Sequence, residues 1–157
     1  INGFRATALQ SIDIADKLPL KILEKFDLIL DSGTTLVDAH LRPYNTTRVI
    51  HYPAMKPTLD NQLRIGEHSD YGTITLLWDI NGVPGLEVQD IDGKWHHVPY
   101  VWNGVVVNIG DLLQRWTNDY FKSTKHRVNN DYCHVPRFSM PHFVDPTPGT
   151  IGENLLK

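Results

Sequence analysis

The feature that most constrains this chain is the segment 65–77, where a histidine and an aspartate stand two residues apart and an alternating apolar run follows. In an extended chain, side chains two residues apart point to the same face. His68 and Asp70 are therefore expected to offer an imidazole nitrogen and a carboxylate oxygen to one point in space. Together they make two thirds of a facial metal site, which needs one more histidine from elsewhere in the chain.

Length, composition and charge narrow the class of protein. A chain of 157 residues suits one domain with a sizeable core, and 41% apolar with 21% charged residues is ordinary for a globular protein. The net charge of −3 gives no basic footprint for nucleic acid or an anionic membrane, and no apolar run is long enough for a transmembrane helix. The single cysteine, Cys133, leaves no intramolecular disulfide and favours a reducing, cytoplasmic compartment.

Residues 1–46 are expected to be a helical lead-in, the remnant of a larger N-terminal region. Residues 1–15 show no clear period. From Asp16 to about Leu30 the apolar residues recur at spacings of three and four, with charged residues such as Asp27 between them. This pattern predicts an amphipathic helix that covers the core, with Pro19 in its first turn, where a missing N–H does no harm.

Beyond residue 43 the apolar period falls to two, which predicts a series of short strands. The predicted strands span 47–52, 73–78, 86–89, 94–98, 104–109, 122–128 and 137–144. Residues 92–93, Asp-Gly, mark a hairpin turn, and Asp111 is expected to cap a short helix over 112–117. Short strands at this spacing favour an antiparallel sandwich or barrel over residues 47–146, buttressed by the N-terminal helix and followed by a tail, 147–157.

The last two predicted strands contain a candidate for the third metal ligand and a candidate anion-binding pair. His126 is one of eight histidines and lies in a strand expected on the far side of the sheet from Asp70. Further along, Arg137 and Ser139 share one strand face. A guanidinium binds a carboxylate through two parallel hydrogen bonds, and a hydroxyl can add a third. Each of these short patterns also occurs on ordinary protein surfaces, and spacing alone leaves that alternative open.

Taken together and in order, these motifs resemble a known enzyme family. The matching segments are His68-Ser-Asp70-Tyr-Gly-Thr, Asn108-Ile-Gly-Asp-Leu-Leu113, Trp116-Thr-Asn118, Phe121-Lys-Ser-Thr-Lys-His126-Arg-Val128 and Arg137-Phe-Ser139-Met-Pro141. They resemble the iron(II)- and 2-oxoglutarate-dependent dioxygenases of the isopenicillin N synthase-like group. The resemblance implies a mainly β fold, a double-stranded β-helix or jelly roll, with iron near its open end.

The resemblance also implies a role for individual residues. Three of them match the iron ligands of the family: His68, Asp70 and His126. Arg137 and Ser139 match the residues that hold the distal carboxylate of 2-oxoglutarate, and Tyr52 matches a tyrosine that also reaches this cosubstrate. Ile50 stands where many members have an asparagine.

The resemblance implies an enzyme that oxidises a small organic metabolite with O2 and 2-oxoglutarate and releases succinate and CO2. The form of oxidation expected is hydroxylation. Two alternatives stay open at this point. An oxidase of the same fold uses no 2-oxoglutarate, and isopenicillin N synthase itself keeps an Arg-x-Ser for its own substrate. A non-catalytic jelly-roll module with a vestigial metal site is the other. The identity of the substrate is left open, because loops and flanking segments set it in this fold.

Overall fold

The computed structural model describes residues 2–56 and 61–150. Within these ranges the chain forms four helices and nine strands. The helices are α1 (Phe4–Ala15), α2 (Leu18–Leu30), α3 (Thr35–Ala39) and α4 (Asp111–Trp116). The strands are β1 (Thr46–Thr47), β2 (Ile50–Tyr52), β3 (Ile65–His68), β4 (Ile74–Asp79), β5 (Leu86–Gln89), β6 (Trp95–His97), β7 (Val106–Ile109), β8 (His126–Val128) and β9 (Arg137–Val144).

The strands form two antiparallel sheets. The larger sheet has the order β1-β9-β4-β7, with β2 also paired to β9, and the smaller sheet has the order β3-β8-β5-β6. The predicted hairpin is confirmed, since β5 and β6 pair on either side of the Asp-Gly turn. Two antiparallel sheets with a helix against them confirm the predicted mainly β jelly roll with a buttressing N-terminal helix.

Strand β4 shows how the helices orient the sheet. Ile74 and Leu76 are buried in the hydrophobic core, whereas Thr75 and Leu77 point the other way and line a cavity between the sheets. The helical members of that core are Leu23, Leu30, Leu36, Leu113 and Trp116. Because successive side chains in a strand face opposite sides, packing the helices on one face commits the other face of β4 to the cavity.

The N-terminal region contains more helix than the sequence predicted. Residues 4–15 form α1, although they carry no clear period, and Ala15 is the one buried residue of this helix. A helix that buries so little needs no apolar stripe. Asp27, one of the charged residues between the apolar positions of the predicted amphipathic helix, does not lie on an exposed face. It is buried, and its carboxylate accepts hydrogen bonds from the backbone N–H groups of Leu36 and Val37 at 2.9 and 3.0 Å, which fixes the start of α3.

Several predicted strand limits also change. The single strand predicted over 47–52 is two short strands, β1 and β2, which both pair with β9. The strand predicted over 122–128 is confined to His126–Val128. Asp111 does not cap α4 but is its first residue, since the N-cap is Gly110. A Cβ at Gly110 would lie 2.1 Å from the carbonyl oxygen of Gly72, so only glycine fits where these two loops meet.

Residues 151–157 of the predicted C-terminal tail and residues 57–60 of the connection before β3 lie outside the described ranges. None of the helices described is long and apolar enough to cross a membrane.

Candidate metal centre and cosubstrate cavity

The two histidines of the predicted metal site are direct neighbours across the smaller sheet. His68 ends β3, His126 begins β8, and the two residues are cross-strand partners in this antiparallel pair. Their ring centroids are 4.2 Å apart. The expectation that His126 comes from the far side of the sheet is therefore wrong. Directly opposed residues of antiparallel strands project to the same face, and this pairing brings the imidazoles together.

The Asp70 carboxylate also lies close to the two imidazoles, but strand alternation, which the sequence predicted as the cause, does not place it there. Strand β3 stops at His68, so Asp70 lies in the connection to β4. Its side chain is buried, and Oδ2 accepts hydrogen bonds from Thr75 Oγ1 at 2.7 Å and from Asn108 Nδ2 at 2.8 Å. Thr75 and Asn108 are themselves paired between β4 and β7. The larger sheet thus orients the carboxylate and leaves Oδ1 available.

The imidazoles are oriented in a similar way by backbone carbonyl groups. Nδ1 of His68 lies 2.9 Å from the oxygen of Gly66, and Nδ1 of His126 lies 3.1 Å from the oxygen of Thr124. A carbonyl oxygen only accepts, so in the neutral ring each Nδ1 carries the hydrogen and each Nε2 keeps a lone pair. The two Nε2 atoms lie 4.0 and 3.7 Å from Oδ1 of Asp70.

This donor set fits a divalent metal ion. One ligand atom from each of the three residues lies within 4.8 Å of the other two, in the part of the chain that the structure describes. Two imidazole nitrogens and one carboxylate oxygen on one face are typical of non-haem Fe(II) oxygenases, which keep the remaining positions open. Each of the three side chains also makes a hydrogen bond to a neighbouring protein group through an atom that is not a proposed metal ligand. Such hydrogen bonds normally orient the side chains that bind a metal.

The predicted anion-binding residues line the same cavity as the three candidate metal ligands. Arg137, at the start of β9, is 1% exposed. Its Nε donates to the carbonyl oxygen of Val83 at 3.1 Å, and its Nη2 donates to Oδ2 of Asp79 at 3.2 Å. The guanidinium carbon lies 5.1 Å from the centre of the Tyr52 ring. A buried, oriented guanidinium with donors to spare can bind a carboxylate in a defined geometry.

Tyr52 and Ser139 complete this group. Tyr52 is the register partner of Arg137, and Ile50 is the partner of Ser139. Ser139 is 1% exposed, and its hydroxyl donates to Oη of Tyr52 at 3.4 Å. All six residues singled out from the sequence therefore line one cavity, together with Ile50.

The cavity lies between the sheets and contains about 660 Å³ of space, its open mouth included. Apart from the polar groups already described, its walls are mainly aliphatic: Ile50, Ile65, Leu77, Leu86, Val88, Val106 and Val128. An unpaired charge is costly in such surroundings. Within the described lining, an anion that enters this space has one lysine or arginine available, Arg137.

A second cavity, here called the outer cavity, shares metal-ligand residues with the first, which is called the inner cavity. His68, Asp70 and Phe143 line both cavities, and Arg48 lines the outer one only. The Arg48 guanidinium lies 5.4 Å from the centre of the Phe143 ring, and among the described residues it has no carboxylate partner. Two of the three candidate metal ligands thus line both cavities, and the described lining of each cavity contains one arginine.

Sequence reasoning missed four residues of this site. Thr75 and Asn108 orient Asp70, and a signal for them existed, since each is a polar residue inside a predicted apolar strand. Asp79 and Arg48 had no such signal. Their importance depends on contacts with residues far away in the chain, which spacing cannot show.

Comparison with known proteins agrees with this geometry. Residues 44–146 match the model of the 2OG-Fe(II) oxygenase superfamily. A 2-oxoglutarate-Fe(II) type oxidoreductase of Metarhizium majus is 37% identical over 94% of this chain, which corresponds to 45% of that protein. The chain thus spans about half the length of the curated relatives it matches.

Solved structures give the same result. Full-length Neurospora crassa T7H, in complex with α-ketoglutarate, superimposes with a TM-score of 0.87 at 34% identity, over 95% of this chain and 48% of that one. JOX2, in complex with 2-oxoglutarate, Fe and JA, gives a TM-score of 0.84 at 28% identity, over 94% and 44%. Fe(II) and 2-oxoglutarate, expected from the sequence, are confirmed as the cofactor and cosubstrate of this group. The chain belongs to the 2OG-Fe(II) oxygenase superfamily.

Proposed function

We propose that this chain carries the catalytic domain, over residues 47–146, of a non-haem Fe(II)- and 2-oxoglutarate-dependent dioxygenase that hydroxylates a small organic molecule. The balanced reaction is R–H + O2 + 2-oxoglutarate → R–OH + succinate + CO2. One observation supports it most: a cluster of two histidines and one aspartate shares a cavity with a buried arginine, a serine and a tyrosine. Membership of the 2OG-Fe(II) oxygenase superfamily supports the same activity.

In this proposal His68, Asp70 and His126 hold the Fe(II). When bound, the metal and 2-oxoglutarate together supply the activation of O2 and the electrons that this requires. The neutral histidines and the single carboxylate give a bound Fe(II) centre a net charge near +1, which suits an anionic chelating cosubstrate. Residues 1–46 serve as the helical support of this domain, and residues 147–157 as its tail.

The inner cavity is proposed as the cosubstrate site. Arg137 binds the distal carboxylate of 2-oxoglutarate, with the hydroxyls of Ser139 and Tyr52 beside it. A dicarboxylate then spans from the metal cluster to the guanidinium, and both of its charged ends meet positive partners. The aliphatic walls exclude water around these contacts and strengthen them.

The outer cavity is proposed as the site of the primary substrate. It shares His68 and Asp70 with the inner cavity but is not lined by Arg137, so a molecule bound there lies beside the metal ligands and outside the proposed cosubstrate site. Arg48 is the one lysine or arginine in its described lining, and Phe143 covers one face of the guanidinium. The edge donors of Arg48 favour a substrate that carries a carboxylate or another acidic group.

Succinate formation tests the proposed activity. The protein is incubated aerobically with Fe(II), ascorbate and 2-oxoglutarate, with and without a library of small metabolites. We expect slow succinate formation alone and faster formation with true substrates. O2 consumption without succinate would instead indicate the oxidase of the same fold. Failure to bind Fe(II) or Mn(II) would indicate the non-catalytic module.

Arg48→Ala tests the substrate site. The library pairs each carboxylic acid with its primary amide, which has almost the same shape but no charge. We expect the acids to stimulate wild-type turnover more strongly, and Arg48→Ala to weaken this stimulation by about tenfold, the effect of losing a charge-assisted hydrogen bond. Succinate formation without substrate should stay as in the wild type. Equal stimulation by acids and amides would contradict the proposed acidic substrate.

We propose the cytoplasm as the compartment in which this enzyme works. Cys133 is buried and unpaired, which fits a reducing environment. O2 and 2-oxoglutarate are diffusible small molecules, so the proposed reaction needs no nucleic acid or membrane partner.

A further inference from the structure

The turn that follows β4 encloses the guanidinium of Arg137. Residues 79–83 leave the larger sheet beside the start of β9, where Arg137 lies. The carbonyl oxygen of Val83 accepts from Nε, and Oδ2 of Asp79 accepts from Nη2. A guanidinium has five N–H donors, so three of them have no partner among the described residues.

The same turn is fastened to the strand on both sides of Arg137. Ile80 N donates to the carbonyl oxygen of Phe138 at 3.0 Å. Asn81 accepts from Phe138 N at 3.0 Å and donates to the oxygen of Pro136 at 2.9 Å. These hydrogen bonds hold the turn in register with Arg137, so the guanidinium cannot shift without breaking them or leaving its own partners.

Asp79 links the turn to the guanidinium. Its Oδ1 accepts from Gly82 N at 3.2 Å, while its Oδ2 accepts from Arg137. Arg137 is 1% exposed, and the Asp79 side chain is 19% exposed. A buried guanidinium needs a counter-charge in the absence of cosubstrate, and Asp79 is the carboxylate that supplies it. Asp79 does not line the inner cavity, so it acts from behind the arginine.

We propose that Asp79 is a positioning residue for cosubstrate binding: held by its own turn, it fixes the Arg137 guanidinium so that the donors left free face the distal carboxylate of 2-oxoglutarate. This inference rests on the proposed function of the inner cavity. Two of the five donors are used to orient the group and the others to bind, and a guanidinium fixed in advance loses little conformational freedom when the anion arrives.

Binding of two chelators to the Mn(II)-loaded protein tests this. The probes are 2-oxoglutarate, which reaches Arg137, and oxalate, which chelates the metal but has no distal carboxylate. We expect Asp79→Ala to raise the Kd of 2-oxoglutarate about fivefold, the cost of immobilising on binding a side chain that is no longer held in advance, and to leave the Kd of oxalate and of Mn(II) unchanged. Asp79→Asn keeps the size and an acceptor for Gly82 N–H, so its effect should be intermediate.

A control variant and a double mutant make the result specific. Asp90→Ala removes an aspartate that likewise accepts backbone N–H groups in a turn but neither lines the inner cavity nor contacts Arg137, and both Kd values should stay as in the wild type. In an Arg137→Ala background, Asp79→Ala should change the Kd of 2-oxoglutarate by less than about twofold, because a residue that acts through another has no effect without it.

The outcomes separate this inference from the function on which it rests. If wild-type protein with Mn(II) binds oxalate but not 2-oxoglutarate, the proposed cosubstrate site is wrong. If the wild type binds both and the Asp79 variants bind 2-oxoglutarate equally well, only the positioning role is wrong. A parallel rise in the Kd of oxalate in both Asp79 variants would also overturn it, because that result indicates a general structural effect.

Discussion

Replacing His126 by alanine is expected to remove metal binding and, with it, succinate formation. Nε2 of His126 is one of the three proposed donor atoms, and Asp70 and His68 alone leave only two. Changes in the outer support of a metal ligand typically cost 10- to 100-fold in affinity, so loss of a ligand itself should weaken Mn(II) binding at least about 100-fold. Calorimetry measures the Kd, and succinate formation with Fe(II) measures the activity.

His96→Ala is the matched control for this variant. His96 also lies on a strand of the smaller sheet, but it is exposed and contacts Asp90 rather than the cluster. The His96→Ala variant should bind Mn(II) with the same affinity as the wild type. The thermal midpoint of both variants separates metal loss from unfolding, since His126 contacts His68 and its removal also takes away a ring contact. Wild-type Mn(II) affinity in folded His126→Ala would show that the ion binds elsewhere.

The parts of the site that could be predicted are those encoded in short patterns. Arg137 and Ser139 lie two residues apart in a regular strand, and both are buried toward the cavity, as strand alternation predicts. The amphipathic pattern of α2 likewise predicted its place on the core. In these cases one local rule decides the direction of a side chain, so the sequence is sufficient.

The geometry of the metal cluster could be predicted only in part. The three predicted residues do lie together, but Asp70 is turned toward the histidines by Thr75 and Asn108, not by strand alternation. Pairing of His68 with His126 depends on the register between β3 and β8. Register is set by the packing of the whole sheet, and spacing within one strand carries no information about it.

Asp79 shows a stronger form of the same limit. In the sequence it stands two residues before Asn81-Gly82, and a turn that begins at Asp79 alone accounts for an aspartate there. Its contact with Arg137 exists because β4 and β9 are neighbours in the larger sheet. Helix α1 was missed for a different reason. Only Ala15 of this helix is buried, so the helix needs no apolar stripe and its sequence shows no helical period.

Replacing Arg137 by alanine is expected to weaken 2-oxoglutarate binding far more than any change at Asp79. The variant removes the only lysine or arginine in the described lining of the inner cavity and leaves the distal carboxylate without a cationic partner, with only the hydroxyls of Ser139 and Tyr52 beside it. Truncating one partner of a buried charge pair costs about 2–5 kcal/mol, so the Kd of 2-oxoglutarate should rise by about 30-fold to a few thousandfold. Calorimetry on the Mn(II)-loaded protein measures this Kd.

Arg137→Lys separates charge from geometry in this effect. Lysine keeps the positive charge but not the planar fork, and it cannot satisfy Val83, Asp79 and a cosubstrate carboxylate together as a guanidinium does. Its Kd should therefore lie between those of the wild type and the alanine variant. Oxalate and Mn(II) should bind both variants as they bind the wild type, since neither needs Arg137. Unchanged 2-oxoglutarate affinity in Arg137→Ala, with the fold intact, would remove this arginine from the cosubstrate site and favour the outer arginine, Arg48, as the carboxylate partner.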